Sequence, residues 1–331
     1  MVLAALAIAA TLATQGCDAE PAAQASTPAH PDMTFAQARA VYQSYVAASD
    51  TSAAQHDSAT GLSIVADASW AFAHTQYTAW ASTGTPVERY VYGTPTYYVP
   101  IVSGYPHWFA VDVPRRTLDS STQSNVSTLM VFGQSTRNGA WTLDGNAALQ
   151  PGQRMPAIAT NAQGYAIALS PYQQGMLLQP NVVGGTQAAV VDEGPAAETA
   201  SLVTPGPQTT DLYSQLNATY AATPKDLEYT WAMVGSSFPV FALQTTSGSA
   251  LVLYGLYLDT TTEYPDNGVG APIPIPAEVR PLLAAPSEVG SHIVQADWTY
   301  EFATIDPPAS ASNGTITVIA AAGAPTYGHA D

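Results

Sequence analysis

The sequence predicts an α+β fold, arranged as two tandem domains in which helices precede a curved antiparallel sheet. Three observations carry this expectation. From Met33 to about Ser82 apolar residues recur at steps of three and four, and beyond Gly84 the period shortens to two. The same order, helix and then strands, returns more loosely in the second half. With 331 residues, 47% hydrophobic and 9% aromatic, the chain has the material for two cores.

Taken in order, the chain begins with an unbroken small and apolar run, Val2 to Ala13. That is the length of a signal-peptide core and short of the roughly 20 residues needed to cross a bilayer. Thr14-Gln15-Gly16-Cys17 follows, with the single cysteine of the chain. This stretch resembles the lipobox of bacterial lipoproteins, in which the cysteine is acylated and becomes the new N-terminus. The resemblance implies a signal peptide over 1–17, a lipid anchor on Cys17 and residence at the extracytoplasmic face of the membrane, with plain secretion as the alternative. Residues 18–32, rich in Ala, Pro and Ser, read as a flexible tether.

The first domain is expected over 33–158. Phe35, Ala38, Val41, Tyr42, Tyr45 and Val46 form one stripe of a helix with Thr34 at its N-cap, and a second helix is expected over about 61–82. RYVYGTPTYYVPI, HWFAVDV, STLMVFGQ and AWTLDGNAAL read as strands, with Asn138-Gly139 turning between two of them. The second domain, 159–322, opens with a Pro/Gly-rich connector near 179–209. TTDLYSQLNATYAA then reads as a helix, FPVFALQT and SALVLYGLYLDT as a hairpin across Ser247-Gly248, and DWTYEFATI and GTITVIAAA as closing strands. Residues 323–331 are expected to be a flexible tail.

Tyr105-Pro106-His107-Trp108-Phe109, LMVFGQ, Gly139-Ala140-Trp141-Thr142-Leu143 and the turn Pro151-Gly152-Gln153-Arg154-Met155-Pro156 occur in that order. This succession resembles an uncharacterised domain of actinobacterial lipoproteins, over roughly residues 33–320. The resemblance implies an envelope location and halves similar to NTF2-like or cystatin-like cones. It brings no activity, cofactor or catalytic residue with it.

Charge removes one class of partner. Eight Lys and Arg stand against 25 Asp and Glu, a net charge of −17, so nucleic acid is repelled. One cysteine cannot build an internal disulfide or a multi-cysteine zinc site. Six histidines fall at no paired ligand spacing, so neither metal nor cofactor is expected. Gly-x-Ser-x-Gly, Ser-x-x-Lys, His-Glu-x-x-His and phosphate-loop patterns are absent from the sequence.

The acid–base candidates are His107, Asp112 and Glu301. His107 and Asp112 are five residues apart and project to opposite faces of an unbroken strand. On that reading Phe109, Val111 and Val113 pack the core, while Trp108, Ala110 and Asp112 share the other face with Asp112 in solvent. Tyr97, Tyr98, Tyr105 and Trp108 are binding candidates, since Tyr and Trp anchor carbohydrate and protein surfaces. The loop from Asp259 to Gly268 holds several oxygen ligands but not the EF-hand spacing.

The expectation for function is therefore a membrane-anchored, noncatalytic protein that binds an envelope ligand. The alternatives are an NTF2-like isomerase or dehydratase working through a buried carboxylate or histidine, and an accessory subunit of an envelope complex.

Overall fold

The computed structural model describes residues 33–331 apart from 119–124, 266–267, 269, 285–288 and 291. Cys17, the apolar run and the tether lie outside the described residues, as do Asp266 and Asn267 of the oxygen-rich loop. The fold is α+β, with five α-helices and one ten-stranded antiparallel sheet among the described residues.

Helix α1 (Phe35–Gln55) starts at a capping box. The Gln37 amide N–H donates to Thr34 Oγ1 at 3.3 Å, and the Thr34 N–H donates to Gln37 Oε1 at 2.8 Å, so two orphan donors are satisfied reciprocally. The single helix expected over 61–82 is two, α2 (Ser58–Ser63) and α3 (Asp67–Thr83). The break has a tertiary cause: Leu143 N–H donates to Ile64 O at 3.0 Å and Ala66 N–H to Leu143 O at 2.9 Å, so Ile64 to Ala66 leave the helix to bond a strand edge.

The first half supplies β1 (Tyr90–Tyr92), β2 (Thr96–Tyr98), β3 (His107–Thr117), β4 (Val126–Gln134) and β5 (Thr142–Leu149). The second half supplies helices α4 (Pro180–Glu193) and α5 (Thr210–Ala222). Its strands are β6 (Glu228–Gly235), β7 (Phe241–Gln244), β8 (Ala250–Glu263), β11 (Ile293–Asp306) and β12 (Thr317–Ala330). A separate pair, β9 (Ile273–Pro274) and β10 (Val289–Gly290), lies in the β8–β11 connection. At the tip of the β7–β8 hairpin Gly248 has φ +85, a conformation that other residues adopt at a cost.

The two curved sheets expected as separate domains are one sheet, ordered β1-β3-β4-β5-β12-β11-β8-β6. They join where Ala320 and Ala321 of β12 register with Leu149 and Ala148 of β5. The tail expected over 323–331 is the last part of β12, paired with β11 as far as Val294 opposite Ala330. The connector near 179–209 contains α4, whose Val183, Val190 and Val191 are buried. Its Gly-Gly and Val-Val pairs obscure the helical period that these contacts enforce.

Three apolar clusters explain the layering. One combines Met33, Ala38 and Tyr42 with Phe109, Val111, Val113 and Phe132, so α1 to α3 cover the outer face of the first-half strands. A second joins α4 and α5 to the outer face of β6, β8 and β11. The third takes Trp108, Ala110, Leu129 and Val131 from the first half with Phe241, Leu243, Leu251 and Leu253 from the second. The two halves of the sheet thus face each other, and β3 is buried on both faces. Trp108 and Ala110, expected on the Asp112 face outside the core, are 7% and 0% exposed.

Candidate functional site

A pocket of about 240 Å³ lies between α1–α3 and the strands of the first half. Strand alternation builds its floor. Arg115 follows Phe109, Val111 and Val113 on the helix-facing row of β3, at the point where the apolar row ends. Ser69 enters from α3, Asn146 from β5, and Tyr45, Phe72 and Tyr90 supply aromatic walls.

The polar groups of the floor are held in place by one another. Arg115 Nη2 donates to Asn146 Oδ1 at 2.9 Å, and its guanidinium carbon lies 4.4 Å from the centre of the Tyr90 ring. Asn146 Nδ2 donates to Ser69 Oγ at 3.3 Å. Ser69 Oγ donates to Glu301 Oε1 at 3.2 Å, and the Asn146 backbone N–H donates to Glu301 Oε2 at 2.7 Å. Side chains fixed in this way lose little freedom when a ligand arrives.

Glu301 is the candidate whose surroundings perturb it most. It is 4% exposed and projects from β11 toward α3 and β5 at the join of the two half-sheets. Burial pushes its carboxyl up to about 8; the Asn146 N–H, the Ser69 hydroxyl and the charge of Arg115 act the other way, and Asp144 adds to the rise. Asp144 is pushed to about 7 by burial, opposed by the Thr142 hydroxyl and reinforced by Asp67. Both acids line a small cavity of about 30 Å³, room for one or two waters. Glu301 does not line the larger pocket; Ser69 and Asn146 stand between.

The remaining candidates scatter. His107 is 8% exposed and lies 4.1 Å, ring centre to ring centre, from Tyr105. Both border an open groove of about 690 Å³ along α1, with Arg137 and Trp141. The amides in that groove are occupied: Gln37 caps α1 and Gln134 Nε2 donates to Gly139 O at 2.8 Å. Asp112 is half-buried and accepts a hydrogen bond from the Ser127 hydroxyl, and burial raises its carboxyl against that bond. The solvent-facing position expected for Asp112 is therefore corrected. Trp108 packs on Phe241 in the inner core and Tyr98 borders the same cluster. Tyr97 meets Tyr42 edge-on at 5.9 Å under α1. Of the four aromatic binding candidates, Tyr105 lines the groove along α1, while Tyr97, Tyr98 and Trp108 are absent from the walls of the pocket below α1–α3.

Among the described residues no three His, Cys, Asp or Glu side chains cluster closely enough to hold a metal ion. Asp259 and Glu263 of the oxygen-rich segment are residues of β8. No described helix is long and apolar enough to cross a membrane.

Sequence reasoning passed over Arg115, Ser69 and Asn146. The signal for Arg115 was legible: one of only eight cations sits on the row that carries Phe109, Val111 and Val113 into the core. Ser69 and Asn146 carry no local signal, because their partners are far away in the chain.

The family model described as Domain of unknown function (DUF8094) matches residues 29–324. No curated protein and no solved structure matches the chain.

Proposed function

We propose a binding role for this chain, which belongs to the family described as Domain of unknown function (DUF8094). On this reading the protein is a noncatalytic receptor for a small ligand, held in the pocket between α1–α3 and the first-half strands. The observation that carries it is the floor of that pocket, where Arg115, Asn146 and Ser69 are fixed by mutual hydrogen bonds while facing a cavity with aromatic walls. Ligand sites have this composition, an apolar enclosure with a few placed polar groups. Helices over a curved sheet, with a pocket between them, also suit the NTF2-like comparison for the first half.

The place of action is part of the same proposal. The apolar run and the Thr14-Gln15-Gly16-Cys17 stretch support an actinobacterial-type lipoprotein, anchored by acylated Cys17 at the extracytoplasmic face with residues 18–32 as its tether. Intact mass of the protein extracted from host membranes checks it: an acylated N-terminal Cys17 is expected, and an unmodified chain retaining residues 1–16 would set the anchor aside.

The isomerase or dehydratase reading draws on Glu301, whose proton is held to about pH 8, in the range useful for general acid work. Against it, Glu301 touches the small interior cavity rather than the pocket. A role as an accessory subunit calls for a contiguous exposed apolar patch. The most exposed aromatic side chains, Tyr172, Tyr220, Tyr327 and Trp70, lie on the stretch before α4, on α5, on β12 and on α3.

The test is a thermal-shift screen of small polar and aromatic molecules against the wild type and Ser49→Trp, a substitution at a pocket-lining position chosen to fill the cavity. Ligands that raise the Tm of the wild type alone support the proposal, and a screen without such ligands removes it. Mass spectrometry of each recovered ligand decides between binding and catalysis: an unchanged ligand is expected, and a converted one moves Glu301 to the centre of the argument.

A further inference from the structure

Arg115 is a half-buried cation with no ion-pair partner among the described residues. Among the described residues Arg89 pairs with Asp50 at 2.8 Å, but no described carboxylate pairs with Arg115. The partners it has are neutral: the Asn146 amide oxygen, the Tyr92 hydroxyl and the face of the Tyr90 ring. Glu301 lies close enough to feel its charge, yet keeps its own proton at neutral pH. In a chain with 25 acidic residues, a guanidinium kept clear of carboxylates while lining a pocket is an unusual placement. Charges removed from water are ordinarily matched by opposite charge, and a planar guanidinium matches a carboxylate through two parallel hydrogen bonds.

We infer that the pocket takes a small organic carboxylate, with the acid group on the Arg115 guanidinium and the body of the molecule against Tyr45, Phe72 and Tyr90. The inference rests on the binding role proposed above and names the ligand class of the same site. The volume of about 240 Å³ falls below the roughly 300–1,000 Å³ of pockets for drug-sized ligands, which limits the molecule to one ring or a short chain. Ser69 and Asn146 are placed to meet a hydroxyl or carbonyl on that body. The negative surface gives an anion no help in approach, so selectivity for the acid comes from Arg115 itself.

Titration calorimetry on the full chain tests this with matched pairs: benzoate and benzamide, phenylacetate and phenylacetamide, glucuronate and glucose. At least one acid is expected to bind at least tenfold more tightly than its neutral counterpart. Arg115→Met should erase that preference and Arg115→Lys should keep part of it, since the charge stays while the fork is lost. If Arg115→Met does not fold, Arg115→Lys and the matched pairs still decide. Neutral members binding as tightly as the acids, or an acid preference that survives Arg115→Met, would overturn the carboxylate class and leave the pocket standing. Binding by no member of any pair, or equal binding to Ser49→Trp, would overturn the pocket together with the inference.

Discussion

Replacing Glu301 by Gln removes one proton from the pH dependence of folding and leaves the shape of the side chain nearly unchanged. The Gln Oε1 can still accept from the Asn146 N–H, as the Glu301 carboxyl oxygen does at 2.7 Å. In the unfolded chain Glu301 titrates near its ordinary 4.5, and in the folded protein near 8. Between these values the unfolded state has released a proton that the folded state retains. Stability from this group is whole below pH 4.5 and is lost as pH rises through 8. The interval spans about three and a half pH units at about 1.4 kcal/mol each, so the loss approaches about 4–5 kcal/mol. Urea unfolding of both proteins, followed by fluorescence from pH 4 to 9, measures it. The two curves should meet near pH 4, and the variant should be the more stable by a growing margin up to pH 8. Parallel curves with a constant gap would refute the reasoning, for they would mean that Glu301 releases its proton as easily folded as unfolded.

Other perturbations test other layers. Phe109 is fully buried and stacks on Phe132 with ring centres 5.0 Å apart, so Phe109→Ala should cost about 3–5 kcal/mol in urea unfolding, and a cost under about 1 kcal/mol would count against the helix-covered core. Gly61→Ala sets propensity against packing. Alanine favours a helix by about 1 kcal/mol, but a Cβ at this site would lie 2.0 Å from the Tyr77 hydroxyl oxygen. Net destabilisation by about 1–3 kcal/mol is expected, and a gain in Tm would show that Tyr77 moves aside freely. Cys17→Ala should shift the protein from the membrane fraction to the soluble extracytoplasmic fraction on immunoblots, and unchanged membrane association would defeat the anchor.

Local chemistry decided what the sequence determines unaided. The stripe from Phe35 to Val46 and the capping pair Thr34 and Gln37 specify α1, and alternating apolar residues at 107–113, 126–134 and 250–258 specify strands whatever they pack against. Net charge, the single cysteine and the Thr14-Gln15-Gly16-Cys17 stretch are likewise properties of the chain alone. Only the tertiary structure decided that the half-sheets join at β5 and β12 and fold face to face. The alanines at that join carry no signature of their partners, and burial of β3 on both faces places Trp108 in a core that alternation by itself assigns to the opposite side. The environment of Glu301 is tertiary for the same reason. Ser69 is 232 residues from it in sequence and Asn146 is 155, so no window on the chain contains the groups that desolvate it and hold its oxygens. Arg115 falls between the two cases: its row on β3 was legible, but its lack of an acidic partner among the described residues became visible only once the chain had folded around it.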